Sequence, residues 1–427
     1  VRSRGLGDVY KRQIGNIFKG DKVIWMVFFF LCMISIIEVF SASSGLTYKS
    51  NDYITPIAKH GSTMIAGLIM AIIVTNIPCR FFKLFTPAML LFSLVTLVCV
   101  LFIGENVNGA NRTLFGFQPS EIAKGSMILA EAQILSTLQT DSGADRMAFK
   151  YIMVLTGIFC FLIGIENLST AILLFAVVYF MMIIGRVPIK QLAWLTGIGV
   201  CVVAFILSLV LILGGDVEKE MNSALHQKDK IEVKQTEKSA VDKVFHRFST
   251  WKKRIYKFFN SDNIPPSKFD LDADAQVGHA NIAIVSSNIK GVGPGNSVER
   301  DFLSQAFSDF IYAIIIEEMG IGGAIFVAFL YVILLFHTAS IANRCENSFP
   351  ALLAIGLALL LVTQAIFNML VAVGMAPVTG QPLPLISKGG TSTIINCIYI
   401  GAILSISRTA KKRINAKGAK TETVAAN

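Results

Sequence analysis

Apolar segments alternate with short polar stretches along most of the chain. A helix needs roughly 20 apolar residues to cross a hydrocarbon core of about 30 Å, and most of these segments approach that length. The predicted spans are residues 23–40, 61–77, 84–103, 119–138, 151–165, 168–184, 192–213, 310–336, 351–373 and 391–406. The pattern predicts an all-α polytopic membrane protein with ten transmembrane helices.

The distribution of Lys and Arg indicates how these spans are oriented. With ten spans both termini lie on one side of the membrane, and that side also collects most of the basic residues of the short loops. The positive-inside rule therefore places both termini in the cytoplasm. The fourth span, at 119–138, contains three charged side chains, but omitting it would put the two basic tails on opposite sides.

This topology divides the chain into five parts. They are a cytoplasmic N-terminal segment at 1–22, spans one to seven at 23–214, an extracytoplasmic loop at 215–306, spans eight to ten at 307–408 and a cytoplasmic basic tail at 409–427. The last twenty residues are expected to be disordered. Within the large loop, residues 244–259 mix aromatic and basic side chains, which is typical of a helix in the headgroup plane, although a solvated basic loop has the same composition.

Composition agrees with a membrane protein. Hydrophobic residues make up 54% of the chain and charged residues only 15%, whereas soluble domains carry about 25% charged residues. The net charge of +10 lies mainly at the predicted cytoplasmic edge, where topology and anionic lipid explain it, so no nucleic-acid partner is predicted. The seven Cys contain no CxxC pair, which indicates neither a disulfide framework nor a zinc site.

Ionisable side chains inside the predicted spans are costly unless they face a cavity or a partner, so they mark candidate functional positions. They are Glu38, Glu121, Lys124, Glu131, Glu317 and Glu318. Glu121 and Lys124 are three residues apart, so they are either a structural ion pair or part of a site. Asp309 lies at the mouth of the eighth span, where it is either a helix cap or a functional carboxylate.

Two glycine-rich stretches carry weaker signals. The glycines at 320–323 favour close helix packing. The sequence GVGPGNS at 291–297 follows no predicted strand, so a tight turn or a backbone nest is favoured over a nucleotide loop. Up to this point a transporter, an enzyme with a lipid substrate and a receptor fit the chain equally well.

Three separated motifs narrow this choice. They are NGANRTLFGFQPSEIAK at 108–124, GVGPGNSVERDFLSQAFSDFIYAIIIEEMG at 291–320 and GMAPVTGQPLPLISKGGTS at 374–392. Together they resemble the shape, elongation, division and sporulation (SEDS) family, in the same order and with the large loop before the eighth span. The LPLIS and GNS sequences favour the FtsW branch, with the RodA branch as the alternative. Lys388 stands where the family usually has Tyr, and the Glu and His that usually precede the counterpart of Asp309 are missing.

The resemblance implies a peptidoglycan glycosyltransferase that polymerises lipid II at the outer face of the plasma membrane. The implied reaction is an inverting transfer from undecaprenyl pyrophosphate. The implied partners are a class B penicillin-binding protein and other divisome or elongasome membrane proteins. The same resemblance places the chain in the bacterial inner membrane at the division septum, with a side-wall role left open. Asp309 matches the family's catalytic Asp, and Arg112, Glu121 and Lys124 match polar residues of its cavity.

This reaction needs a general base and positive charge near the leaving pyrophosphate. Asp309 is the candidate base, Arg112 can grip pyrophosphate through two parallel hydrogen bonds, and Lys124 or Lys388 can add point charge. The motifs add three candidate substrate-binding residues: Ser387, Asn296 and Ser297. No dedicated metal cage is apparent, so no cofactor is assigned, although a divalent cation (Mg²⁺ or Mn²⁺) would suit the pyrophosphate.

Two other functions remain open at this stage. A flippase that moves a lipid-linked precursor across the membrane would use the same charged cavity, although no internal repeat is apparent in the chain. A non-catalytic scaffold would only dock a penicillin-binding protein, and changing Asp309 would then have no effect on activity.

Overall fold

The chain folds into long helices joined by short connections. The structure is a computed structural model that describes residues 18–50, 54–107, 110–114, 116–141, 143–201, 204, 208, 271–303 and 306–425. The helices are α1 Lys22–Ser50, α2 Ile54–Asn76, α3 Cys79–Ile103, α4 Pro119–Thr137, α5 Arg146–Glu166, α6 Leu168–Ile184, α7 at residues 189–201, α8 Leu271–Ser286, α9 Ile311–Asn343, α10 Ser348–Ala372 and α11 Thr391–Ala425.

Helices lie at all ten predicted spans, the seventh being described only in its first part. Within the described residues, seven helices are long and apolar enough to cross a membrane. These are α1, α2, α3, α5, α9, α10 and α11, whereas α6 is apolar but short. The helix α4 carries the three charged side chains noted in the sequence. The all-α prediction is therefore confirmed, while the number of spans and the side of each terminus stay predictions.

Two short antiparallel hairpins connect helices, and neither was predicted. Strands β1 Glu105–Val107 and β2 Ala110–Thr113 pair between α3 and α4, with Asn106 opposite Asn111. Strands β3 Gln139–Thr140 and β4 Gly143–Ala144 pair between α4 and α5. Runs of two to four residues are too short to show the alternation of polar and apolar positions by which a strand is recognised.

Apolar side chains cover the outside of the bundle, and polar ones lie within it. Phe102 and Phe336 are 79% and 72% exposed, respectively, which suits lipid but not water. Inside, the Ser93 and Ser126 hydroxyls lie 2.7 Å apart between α3 and α4. Lipid gives helices no hydrophobic reason to associate, so small residues and interhelical hydrogen bonds take over that role.

Close packing around α4 shows the same principle. This helix contacts α3, α5, α6, α10 and α11 and is buried along most of its length. Gly125 faces the ring of Tyr399 on α11, where an added Cβ would lie 2.6 Å from the ring. The Tyr399 hydroxyl reaches the carbonyl of Glu121, 2.6 Å away. A larger residue than Gly125 would separate α4 from α11, so α4 is the central helix of the fold.

Two regions differ from the sequence-based expectation. Helix α8 and a 3₁₀ turn at Glu299–Asp301 lie within the predicted large loop, because their short mixed sequence gives no span signal. Residues 244–259, the predicted headgroup-plane helix, lie outside the described residues. Helix α11 continues to Ala425, and the disorder expected for the last twenty residues stays a prediction. Its last part is rich in Ala, Lys and Arg, which favour helix.

Candidate functional site

Asp309 lies in the turn that leads into α9. Phe310, not Asp309, occupies the N-cap position of α9, and that cap has no side-chain hydrogen bond. The Asp309 side chain is half-buried, and its Oδ1 accepts a hydrogen bond of 3.1 Å from the Ser308 hydroxyl. The Asn368 side-chain amide on α10 donates to the Asp309 carbonyl over 2.9 Å. Asp309 thus lies one residue before the N-cap, and its carboxylate is held on a backbone fixed from α10.

The third motif supplies an irregular segment at 381–388, which we call the inner segment. Its backbone carbonyls accept hydrogen bonds from side chains on three helices, α1, α9 and α10, and its Gln381 side chain donates one to α6. The bonds are Gln364 Nε2 to Pro382 O at 3.0 Å, Asn368 Nδ2 to Gln381 O at 2.8 Å, Ser35 Oγ to Ile386 O at 2.7 Å, Gln381 Nε2 to Thr170 Oγ1 at 2.6 Å, and Tyr331 Oη to Pro384 O. Irregular backbone at membrane depth is tolerated only where such partners exist.

Proline explains why this segment fits into the bundle. Pro382 and Pro384 have no backbone N–H, so each presents only a carbonyl that needs a partner. Between the prolines and Ser387 lies Leu385, which is buried and has a positive φ of 66°. A bulky residue in that region is a genuine outlier, and such strain persists only where the surroundings hold it in place. The inner segment is thus a rigid and strained element beside Asp309.

Ser387 and Lys388 join the inner segment to the turn that carries Asp309. The Ser387 hydroxyl donates to the Ser308 carbonyl over 2.7 Å, and the Lys388 backbone N–H donates to the Phe307 carbonyl over 2.9 Å. The Lys388 ammonium lies 4.9 Å from the centre of the Phe307 ring. Partial burial lowers the pKa of Lys388, and the nearby Lys59 lowers it further. The structure therefore brings three predicted site residues together: Asp309, Ser387 and Lys388.

Glu121 and Lys124 form a fully buried pair on α4. Their charged atoms lie 2.9 Å apart, and neither side chain is more than 2% exposed. Lys124 Nζ also donates to Gln364 Oε1 over 2.7 Å. Through Gln364 the pair is linked to the Pro382 carbonyl, and hence to the inner segment. The ion-pair interpretation is confirmed, and direct contact of either residue with a substrate stays a prediction.

The second motif forms a separate cluster that we call the carboxylate clasp, comprising residues 291–300 with Glu317 and Glu318. Glu317 Oε1 accepts from the backbone N–H groups of Val298 and Glu299, at 2.9 and 3.4 Å. Glu318 accepts from the N–H groups of Gly295 and Ser297, at 2.9 and 3.4 Å. The predicted backbone nest therefore exists, and its anions are the chain's own carboxylates.

Side chains complete the carboxylate clasp. The Ser297 hydroxyl donates to Glu317 Oε2 over 2.5 Å, and the Ser41 hydroxyl on α1 donates to Glu318. Arg300 Nη1 donates to Ser41 Oγ over 2.9 Å and lies 3.8 Å from Glu318 Oε1. The two buried carboxylates are thus satisfied by partners from the loop and from α1, which is the condition for burying charge.

Two glycines allow the loop and α9 to approach each other. Gly320 interrupts α9 with φ 71° and ψ −175°, a conformation that is essentially restricted to glycine. A Cβ on Gly320 would lie 2.3 Å from the Ile289 carbonyl oxygen, and one on Gly291 would lie 2.3 Å from the Glu318 carbonyl oxygen. Gly320 permits close packing, but against the loop at Ile289 and not against another helix as predicted, whereas Gly322 has nothing within 4 Å of its Cβ position.

The remaining predicted site residues lie apart from Asp309. Asn296 and Ser297 belong to the carboxylate clasp, and the Asn296 side chain donates to the Val292 carbonyl over 3.1 Å. Glu317 lies about two helical turns, roughly 10 Å, further along α9 than Asp309. Arg112 belongs to β2, but its side chain lies outside the described part of the structure. Contact of these residues with a substrate stays a prediction.

Several residues that hold the site were not predicted. Gln364 and Asn368 lie four residues apart on α10, hence on one helical face. Two amides on one face of an apolar span are a recognisable signal, so sequence reasoning could have found them. The Ser35 hydroxyl carries no such signal, because lone serines are common in spans. Its role appears only once α1 and the inner segment are seen together.

No group of three or more His, Cys, Asp or Glu side chains able to hold a metal ion occurs within the described residues. Asp309 is a single half-buried carboxylate bonded to the Ser308 hydroxyl, which is not a metal cage. It could serve only as one ligand of an ion that a pyrophosphate already carries.

Known proteins resemble this chain over most of its length. The probable peptidoglycan glycosyltransferase FtsW of Coxiella burnetii is 30% identical over 396 residues, covering 90% of this chain and 95% of the relative. The protein of the same name from Haemophilus influenzae is 28% identical, covering 90% of each chain.

Solved structures show the same fold. A chain from a study entitled "Structural coordination of polymerization and crosslinking by a peptidoglycan synthase complex" superimposes with a TM-score of 0.67 at 20% identity, covering 92% of this chain and 99% of that one. The rod shape determining protein RodA of Thermus thermophilus gives a TM-score of 0.60 at 20% identity, covering 92% and 98%.

A family profile adds the most direct assignment. The profile of the FtsW, RodA and SpoVE proteins, described as "Cell cycle protein", matches residues 21–412. That range includes the inner segment, the carboxylate clasp and α4. The resemblance of the three motifs is therefore confirmed, and the chain belongs to the FtsW, RodA and SpoVE family of multi-pass membrane proteins.

Proposed function

We propose that this chain polymerises lipid II into glycan strands at the outer face of the bacterial plasma membrane, in cell division. The enzyme class, peptidoglycan glycosyltransferase, is confirmed by relatives of that name that cover most of the chain. The observation that carries the rest is the half-buried carboxylate of Asp309, in a turn whose backbone carbonyls are held by Ser387 and Lys388 at the end of the strained inner segment.

We further propose ten spans with both termini in the cytoplasm. The contacts at the two ends of the bundle support this. The start of α1, the second half of α9 and the end of α2 meet at one end, where Asp21 Oδ1 lies 2.8 Å from His337 Nε2 and Arg408 donates to the Thr75 carbonyl. Asp309 and Lys388 lie at the opposite end of α9 and α11. The positive-inside rule then places Asp309 at the outer face.

The proposed reaction is a single inverting displacement. The 4-hydroxyl oxygen of an acceptor sugar attacks the anomeric carbon of the donor, and the bond from that carbon to the diphosphate oxygen breaks. The bonding electron pair leaves with the diphosphate, and the hydroxyl proton passes to the Asp309 carboxylate. General-base assistance of this kind contributes typically 10²–10⁴-fold to the rate.

Other residues act by positioning Asp309 or by stabilising charge. Asn368 and Ser387 fix the backbone on either side of Asp309. Lys124 also acts on the inner segment through Gln364. Lys388, and Arg112 on β2, supply the positive charge on which the leaving diphosphate depends. A divalent cation would add Lewis-acid charge at the same diphosphate.

We propose a class B penicillin-binding protein as the partner, together with other divisome or elongasome membrane proteins. Support comes from the fold likeness to a chain from a study of a peptidoglycan synthase complex. An exposed apolar face on α9, which includes Ile325 and Phe329, would suit a neighbouring span. We also propose location at the division septum, which the relatives named FtsW support.

The test is to incubate the purified full chain, alone and with a candidate partner, with labelled lipid II in proteoliposomes. We expect new glycan strands that a muramidase digests. Transfer of label across the membrane without new glycosidic bonds would overturn the proposal in favour of a flippase. If the Asp309→Asn chain with its partner made as much glycan as the unchanged chain with its partner, the scaffold function would be favoured.

A further inference from the structure

Two lysines from distant parts of the sequence lie near the end of the inner segment. Lys59 is an exposed residue in the second turn of α2, and Lys388 is a half-buried residue at the end of the inner segment. The two are close enough for Lys59 to lower the pKa of Lys388.

The contacts around the pair fix its position. Ser35 Oγ lies 3.0 Å from His60 Nε2 and donates to the Ile386 carbonyl over 2.7 Å. This bridge holds the start of α2 against the inner segment two residues before Lys388. The Lys388 backbone is held by Phe307, and its ammonium lies over the Phe307 ring. The start of α2, which carries Lys59, and the backbone of Lys388 are therefore both held at the end of the inner segment.

The charge of the pair is not balanced by acidic side chains. Within the described residues, no carboxylate lies within 4.0 Å of either ammonium, in contrast to the paired Lys124. Two like charges held together cost free energy unless an anion joins them. A doubly charged diphosphate ester is such an anion, and an ammonium recognises it as a point charge.

We propose that Lys59 and Lys388 form a two-lysine clamp for the diphosphate of a lipid-linked substrate. The proposal rests on the proposed function, because the same diphosphate is the leaving group of the transfer reaction. Phe307 places the Lys388 ammonium, and the Ser35 bridge holds the turn of α2 that carries Lys59. The clamp holds the diphosphate at one side of the site, so that the anomeric carbon lies near Asp309.

The test measures binding separately from catalysis. Farnesyl diphosphate, which carries the diphosphate without the sugar, is titrated against the full-length chain in phosphatidylcholine nanodiscs. Chains with Lys59→Gln and Lys388→Gln are each expected to bind it about tenfold more weakly, the usual effect of losing a charge-assisted contact. Lys388→Arg keeps the charge and should bind like the unchanged protein. Lys83→Gln is the matched control, because Lys83 is an exposed lysine beyond the other end of α2.

Unchanged affinity in both glutamine variants, with unchanged melting temperatures, would overturn the clamp. A second titration in nanodiscs containing phosphatidylglycerol separates the sources of phosphate. One outcome is that phosphatidylglycerol competes with farnesyl diphosphate in the unchanged protein but not in the glutamine variants. That result would assign the two lysines to a lipid headgroup and would also overturn the clamp. Failure of the unchanged chain to polymerise lipid II would count against the proposed function alone, because farnesyl diphosphate binding does not require catalysis.

Discussion

Buried ionisable residues in this bundle fall into two kinds. Lys124 is paired with Glu121 and bonded to Gln364. Glu38 and Glu131 are fully buried, yet neither carboxyl oxygen of either side chain accepts a hydrogen bond within the described structure. Breaking a buried pair leaves an uncompensated charge, whereas removing an unpaired carboxyl removes only an unfavourable group. Burial alone therefore does not identify the ionisable residues that matter for stability.

A pair of substitutions on α4 tests this distinction. Lys124→Leu should destabilise the protein by about 3–5 kcal/mol, because it strands the Glu121 carboxylate. Glu131→Leu should be neutral or stabilising, by up to about 1 kcal/mol, because no partner is lost. Melting temperatures of the purified chains in one detergent measure both. Equal destabilisation by the two substitutions would show that Glu131 has an essential partner.

At the scale of elements, irregular backbone is held by side chains from neighbouring helices. The inner segment is held by amides and hydroxyls of α1, α9 and α10. In the carboxylate clasp the roles of donor and acceptor are exchanged. There the backbone N–H groups of a loop donate to two side-chain carboxylates of α9. In both cases one element is strained, at Leu385 and at Gly320. These are rigid structures, suited to placing a catalytic group.

Gly320 and Gly322 provide a matched test of the carboxylate clasp. Gly320→Ala forces a Cβ to within 2.3 Å of the Ile289 carbonyl oxygen and should cost about 1–3 kcal/mol for the backbone conformation alone. Gly322→Ala meets nothing within 4 Å and should leave stability unchanged or raise it by about 0.5–1 kcal/mol. Hydrogen exchange of residues 291–299 reports the loop directly. Gly320→Ala should accelerate exchange in this loop and Gly322→Ala should not. The opposite result for either substitution would contradict the role given to Gly320.

At the scale of the whole molecule, the outer surface differs from that of a soluble protein because it is largely apolar. Apolar side chains such as Phe102 face outward, and polar links such as Ser93 to Ser126 lie between helices. The central helix α4 is the one whose charges break the apolar pattern. Whether α4 crosses the membrane decides on which side Asp309 lies, because the sidedness of every later segment depends on it.

Single cysteines in a chain whose seven native cysteines are replaced test this topology. Lys59→Cys should react with a membrane-impermeant maleimide in intact cells. Lys83→Cys and Asp141→Cys, at exposed positions, should react only after the membrane is opened. Labelling of Asp141→Cys from outside would mean that α4 does not cross the membrane. The two termini would then lie on opposite sides.

Much of this organisation could be predicted from the sequence. Hydrophobic segments located the helices, because period and length suffice for an apolar span, and the spacing of Glu121 and Lys124 indicated their pairing. The partners of Glu317 and Glu318 could not be predicted, since they are backbone N–H groups some twenty residues earlier in the chain. Lys59 was missed for a similar reason. Its relation to Lys388 exists only after α2 and the inner segment have packed together.

The central claim is that the Asp309 carboxylate takes the proton in glycosyl transfer. The most direct measurement is the single-turnover rate of glycan formation from labelled lipid II by the Asp309→Asn chain. Asp301→Asn, at an exposed nearby position, is its matched control. The account predicts a fall of about 10²–10⁴-fold in the rate for Asp309→Asn, with unchanged binding of farnesyl diphosphate, and a normal rate for Asp301→Asn. A near-normal rate in the Asp309→Asn chain would contradict it.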